Sequence, residues 1–163
     1  MSMASPLEPP SLPIDLNVKR GRRVRIRHVR PEDKALLRAG LAQFSRQSTY
    51  QRFFTPVVMF SEEQLDYLTN VDGDNHVALG ALDITDGQER GVGIARYIRL
   101  PETPHVAEAA VSVADAYQGH GIGSVLLAVL AQFAAAGHVD TFRAYVLAEN
   151  RRFLRYLTAL GAN

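Results

Sequence analysis

The chain has 163 residues, 47% of them hydrophobic, which suits one globular domain with a real core. A formal net charge of +1 gives no whole-domain field of the kind that marks nucleic-acid binders, and no apolar run approaches the roughly 20 residues a membrane span needs. Cysteine is absent, which excludes disulfides, cysteine metal sites and any mechanism passing through an acyl-cysteine.

Residues 1–18 hold four prolines and little periodicity, and they read as a flexible N-terminal arm ahead of a domain spanning 19–163. The start lacks the basic, apolar layout of a signal peptide, so the expected location is cytoplasmic. "RRVRIRHVR" (22–30) is a predicted strand, with Val24 and Ile26 on one face and Arg23, Arg25 and Arg27 on a solvated one, as in an edge strand. Pro31 opens a helix with Glu32 and Asp33 in its first turn and an apolar stripe of Leu36, Leu37, Leu41 and Phe44. In the loop that follows, Tyr50, Arg52 and Phe53 either line a cleft or pack as core aromatics with a surface arginine. Ser61 and Gln64 form a capping box for a second helix, and Phe60 and Leu65 are spaced for a hydrophobic staple. "DGD" at 72–74 reads as a turn.

Three β-like runs come next, at 76–84, 91–100 and 107–114, and "TDGQER" between the first two makes them an antiparallel meander. Ile122, Leu126, Val129 and Phe133 then repeat at helical spacing to about Ala136. "TFRAYVLA" (141–148) reads as a strand and "NRRFLRYLTAL" (150–160) as a helix. A strand, helix, strand passage demands a parallel pair. The predicted class is therefore α/β: a mixed sheet, an antiparallel meander plus one parallel pair, flanked by helices.

Chemistry concentrates in "VSVADAYQGHGIGSVLL". A P-loop would need a lysine after its last glycine, and a dinucleotide fingerprint would need glycine where Ser124 stands. Glycines at 119, 121 and 123 still let the backbone approach a ligand and expose amides at a helix N-terminus, which suits a pyrophosphate. A tight packing turn is the alternative. His120, between two glycines, is expected to be exposed. His76 and His105 have no partner at metal-ligand spacing, so no metal site is expected. Glu108 interrupts a small-residue strand and shares a face with Ala110 and Ser112, either as a solvated carboxylate or as a base.

Gln118-Gly119-His120-Gly121-Ile122-Gly123 matches the Q/R-x-x-G-x-G/A signature of the GNAT family of N-acetyltransferases, which the chain resembles over about residues 22–162. "RFF", "VDGDNHVALGAL", "ARYIR" and "VLAEN" are most similar to its bacterial protein-lysine acetyltransferases. The resemblance implies acetyl-CoA as the cofactor, its pyrophosphate held by Gln118, Gly119, His120, Gly121, Ile122, Gly123 and Ser124. It further implies pantetheine along the backbone of Val111, Ser112 and Val113, with the Val113 amide polarising the thioester carbonyl and Asn150 facing the same cofactor. Glu108 takes the role of general base in direct transfer to a protein lysine. A small-molecule amine is the alternative acceptor, and a non-catalytic acyl-CoA-binding module is the alternative from another class.

Two departures stand out. Where many members place a tyrosine as general acid, this chain has Leu157, and Tyr156 is one residue off, about 100° around a helix. The chain also ends at "LGAN", where the family usually reads "LGF" and continues for two strands. The resulting expectation is an unpaired edge on the last strand and a possible homodimer through it.

Overall fold

The computed structural model describes residues 8–43, 47, 60–145, 151–159 and 161. Its strands are β1 (Ile14–Val18), β2 (Arg22–His28), β3 (His76–Asp83), β4 (Arg90–Leu100), β5 (Thr103–Val113) and β6 (Thr141–Arg143). The helices are α1 (Lys34–Leu41), α2 (Glu62–Thr69), α3 (Ile122–Ala136) and α4 (Arg151–Ala159), with short 3-10 turns at Lys19–Gly21, Pro31–Asp33 and Asp115–Tyr117. The strands form one sheet in chain order. Every neighbouring pair is antiparallel except β5 with β6, which is parallel, as the strand, helix, strand passage requires.

The expected N-terminal arm is shorter than residues 1–18, because Ile14–Val18 form β1. Its apolar residues Ile14, Leu16 and Val18 are half-buried, alternating with exposed Asp15 and Asn17. Ile14 pairs with Ile26, and Asp15 receives Arg25 Nε at 2.7 Å. The strand expected at the edge of the sheet is thus an interior one. Arg27 is not solvated either. Its guanidinium meets the Asp33 carboxylate with both Nη atoms, at 2.7 and 2.9 Å, and both residues are buried. Burial pushes the Asp33 carboxyl up, but Arg27 and the donated Arg30 amide outweigh it and hold the group below the usual carboxylate range.

The core lies under α3. Ile122, Leu126, Val129 and Leu130 are buried against Val24, Ile26, Leu79, Ala95 and Tyr97 of the sheet. Each such aliphatic side chain contributes about 1.5–3 kcal/mol when fully buried. On the opposite face lie α1 and α2. The capping box at α2 has both its bonds, Ser61 N–H to Gln64 Oε1 at 2.9 Å and Gln64 N–H to Ser61 Oγ at 3.1 Å. Phe44 falls outside the described residues. The strand expected at 141–148 ends at Arg143 and pairs with β5 only from Val106 to Glu108. No helix among the described residues is long and apolar enough to cross a membrane.

Candidate active site

The early end of β6 opens a fork. Beyond Glu108, the β5 residues Ala109 to Val113 keep β4 on one side and have no strand on the other among the described residues. The direction of each peptide group follows from two bonds. Ala114 N–H donates to Val92 O of β4 at 2.8 Å, and His105 O accepts Asp140 N–H at 3.0 Å beside β6. Because peptide groups alternate along a strand, Val111 and Val113 direct theirs into the fork, while Ser112 pairs its own with Ile94. Ser112 therefore drops out as a backbone donor to a pantetheine chain. Its side chain instead faces the α1 side, where it lines a cavity of about 110 Å³ with Leu36, Leu37, Leu41 and Ile94.

The glycine turn begins where the fork ends. Gly119 and Gly121 have φ of 80° and 89°, a left-handed backbone that explains glycine at both positions. A Cβ on Gly121 would meet nothing within 4 Å, so conformation and not crowding sets that residue. At Gly123 neither applies: φ is ordinary, and a Cβ would make an ordinary contact with Val113 Cγ2 at 3.5 Å. Gly121 is the N-cap of α3 and supplies no side chain to its first turn. Among the described residues, no protein acceptor takes the amides of Gly119, His120, Gly121, Ile122, Gly123 or Ser124. Six such donors at a helix's positive end could receive an anion, and the space beside Gly121 is open.

The turn is braced from within. His120 is buried, at 5% exposure, and is not the exposed loop histidine that its setting between glycines suggests. Its Nδ1 donates to Tyr117 O at 2.9 Å and Gln118 O at 3.2 Å, so its side chain holds the turn and leaves only its backbone amide as a candidate donor to a ligand. Tyr117 Oη donates to the buried Asp83 carboxylate at 2.8 Å, and Arg22 Nη1 approaches the same oxygen at 3.2 Å. Burial raises the Asp83 carboxyl, but the Thr85, Tyr117 and Arg22 donors bring it below the usual range. The turn is thereby fixed to the end of β3. Neither Tyr117 nor Asp83 stands out by spacing, since their contact spans the sheet.

Gln118 links the fork to the last helix. Its Nε2 donates to Val113 O at 3.2 Å, and its Oε1 accepts from Arg152 Nη1 of α4 at 3.4 Å. Arg152 escapes sequence reasoning because nothing local brings α4 to the turn. Asn150 lies outside the described residues, as do Tyr50, Arg52 and Phe53. Glu108 is exposed, the last β5 residue before the fork, between Ile98 of β4 and Arg143 of β6. Ser124 is exposed in the first turn of α3. Tyr156 is half-buried and stacked on Phe153 with centroids 6.1 Å apart, a packing arrangement. His76 is buried against Arg96, with Nε2 and Nη1 2.8 Å apart. Burial first, and then the Arg96 charge, pull its pKa down to about 4. The turn at "DGD" is built by Asp72 Oδ1, which accepts the amides of Asp74 and His76 at 2.9 and 2.8 Å. No cluster of three or more metal-ligating side chains occurs among the described residues.

Comparison with known proteins bears on this geometry directly. The profile described as "Acetyltransferase (GNAT) domain" matches residues 23–163. The chain is 33% identical over 150 residues to "Acetyltransferase Pat" of Mycolicibacterium smegmatis, covering 92% of this chain but 44% of that protein. It is 34% identical over 141 residues to "Acetyltransferase PA5475" of Pseudomonas aeruginosa, covering 86% of this chain and 75% of the other. Among solved structures, the GNAT domain of S. lividans PAT superposes with a TM-score of 0.82 at 29% identity, over 91% of this chain and 86% of that one. The chain thus spans less than half of the Mycolicibacterium relative and most of the other two.

Proposed function

The chain belongs to the GNAT family of acetyl-CoA-dependent N-acetyltransferases, and we propose that it carries an acetyl group from acetyl-CoA to a protein lysine by direct transfer. One observation carries this reading: the fork beside β5 runs into six amides of the glycine turn that have no acceptor among the described residues. The fork suits an extended pantetheine arm and the turn suits a diphosphate. Val111 offers its peptide group to that arm. The Val113 amide sits where it can hydrogen-bond the thioester carbonyl and stabilise the oxyanion that develops on attack. Bound acetyl-CoA supplies the activated acyl group and a thiolate able to leave.

The acceptor amine must first lose a proton. A lysine with pKa about 10.4 is neutral only about one time in a thousand near pH 7.4, a cost of roughly 4 kcal/mol. Glu108 takes that proton, directly or through one water. It shares its face with Ser112, which lines the cavity beneath α1, so base and acceptor approach from the same side of the sheet. Tyr156 stacks on Phe153 through its ring, and either its hydroxyl or solvent protonates the thiolate. The apolar cavity favours a second reading, in which a small amine with an aliphatic stem is the acceptor; acetylation of a lysine peptide and of a small primary amine, compared side by side, separates the two.

Glu108→Gln tests the mechanism. The variant keeps its affinity for acetyl-CoA in equilibrium titration and loses turnover by about 10²–10⁴-fold, most severely at lower pH where neutral amine is scarcest. Unchanged turnover would remove Glu108 from the reaction. Absence of turnover in the unsubstituted protein, with acetyl-CoA still bound, would favour a binding module.

A further inference from the structure

We propose that Arg152 of α4 is a diphosphate-binding residue that gives the site its preference for the nucleotide end of acetyl-CoA; this rests on the placement of the diphosphate at the glycine turn. The guanidinium lies directly beside that turn. Its Nη2 would be 3.7 Å from a Cβ on Gly119, and its Nη1 has Gln118 Oε1 at 3.4 Å. That bond is long and its acceptor is neutral, so it satisfies a cation poorly. Arg22, Arg25, Arg27, Arg38, Arg90 and Arg99 each pair with a carboxylate. Among the described residues no carboxylate pairs with Arg152, nor with Arg151 or Arg155 of the same helix, and of these three it is Arg152 that lies beside Gly119 and Gln118. An exposed cation thus stands beside the turn that carries the six amides, and no protein anion among the described residues pairs with it. A phosphate oxygen does so, and the planar guanidinium can meet it through two parallel bonds. Gln118, held between Val113 O and Arg152, marks the line from fork to cation along which the cofactor would lie.

The role predicts a selective defect. Calorimetric titration compares acetyl-CoA with S-acetylpantetheine, which lacks every phosphate, in the unsubstituted protein, Arg152→Gln, Arg152→Lys and the charge-matched control Arg155→Gln. Arg155 lines a surface groove with Leu154 and Thr158 one turn further along α4. Arg152→Gln is expected to weaken acetyl-CoA binding about tenfold, as for loss of a charge-assisted bond. Raising the salt narrows the gap, because the lost contact is ionic. Binding of S-acetylpantetheine stays unchanged, Arg152→Lys recovers part of the loss, and Arg155→Gln shifts affinity less than about twofold. Undiminished acetyl-CoA affinity in Arg152→Gln at low salt, or an equal loss for S-acetylpantetheine, overturns the role of Arg152 alone. An unsubstituted protein that binds both ligands equally well overturns the placement of the diphosphate and this role with it.

Discussion

Between β2 and α1, polar groups close on one another: Arg27 meets Asp33 through two bonds, and Asp33 also takes the Arg30 amide at 2.8 Å. At the junction of β5 and α3, six successive amides and a guanidinium have no anion among the described residues. Both regions concentrate charge or dipole, yet in the first the ion pair is made within the fold and only the buried Arg27 Nε lacks a partner, whereas in the second a run of successive amides lacks one among the described residues. Buried polar groups that lack partners destabilise a protein, so a run of several unpaired donors is expected where solvent or a ligand reaches them. The contrast separates residues that hold the structure from residues that, on the proposed function, receive the cofactor.

Mutations can press on each side of that contrast. The largest expected effect is structural: Arg27→Ala leaves the Asp33 carboxylate buried without its cation and should cost about 3–5 kcal/mol in chemical denaturation. Whatever folded protein remains should still be stabilised by acetyl-CoA, because the pair lies outside the turn. A loss of ligand response at equal stability would join the two regions functionally.

Next in size is a pH effect at His76. Its pKa is pulled from 6.5 to about 4 by burial and the Arg96 charge, against a smaller opposing pull from Asp72. The unfolded chain therefore takes up a proton that the folded protein refuses across that window. Stability is complete above about pH 6.5 and falls as the pH drops towards about 4, by on the order of 3 kcal/mol in all. Asp33 and Asp83, held below the usual carboxylate range, release their share at lower pH still. Denaturation midpoints between pH 4 and 7 should flatten in His76→Gln; an unaltered slope would show that another group titrates.

The smallest expected effect is the most informative about the turn. Gly121→Ala forces a side chain onto a φ of 89° at about 1–2 kcal/mol. The same strain applies at Gly87, whose φ is 85° in the hairpin between β3 and β4. Both alanine variants should lose similar thermal stability, but only Gly121→Ala should also lose stabilisation by acetyl-CoA. Equal ligand responses would deny the turn its part in binding.

The strands of the meander, the capping box at Ser61 and the left-handed need at Gly119 and Gly121 were legible because each is a pattern of near neighbours. The glycine signature also carried the family. Less was legible wherever a residue's surroundings come from distant segments. Arg27 sits in a run of alternating arginines that looks solvated, as Arg23 is, and only the arrival of Asp33 shows that Arg27 itself is buried; the pairing with β1 shows that the strand is not at the edge. His120 looks exposed between glycines, yet the turn folds back and supplies two carbonyls to it.

What the residues settle by themselves is the order of the described elements from β2 onward, though not β1, together with the parallel closing pair and the donor-rich turn, since period, caps and positive φ are local steric and hydrogen-bonding matters. Tertiary packing alone decides where β6 leaves β5, which β5 peptides face the resulting fork, and that Arg152 comes to lie against Gln118. Those depend on how separated segments share space and satisfy one another's polar groups, and no short stretch of chain contains that information.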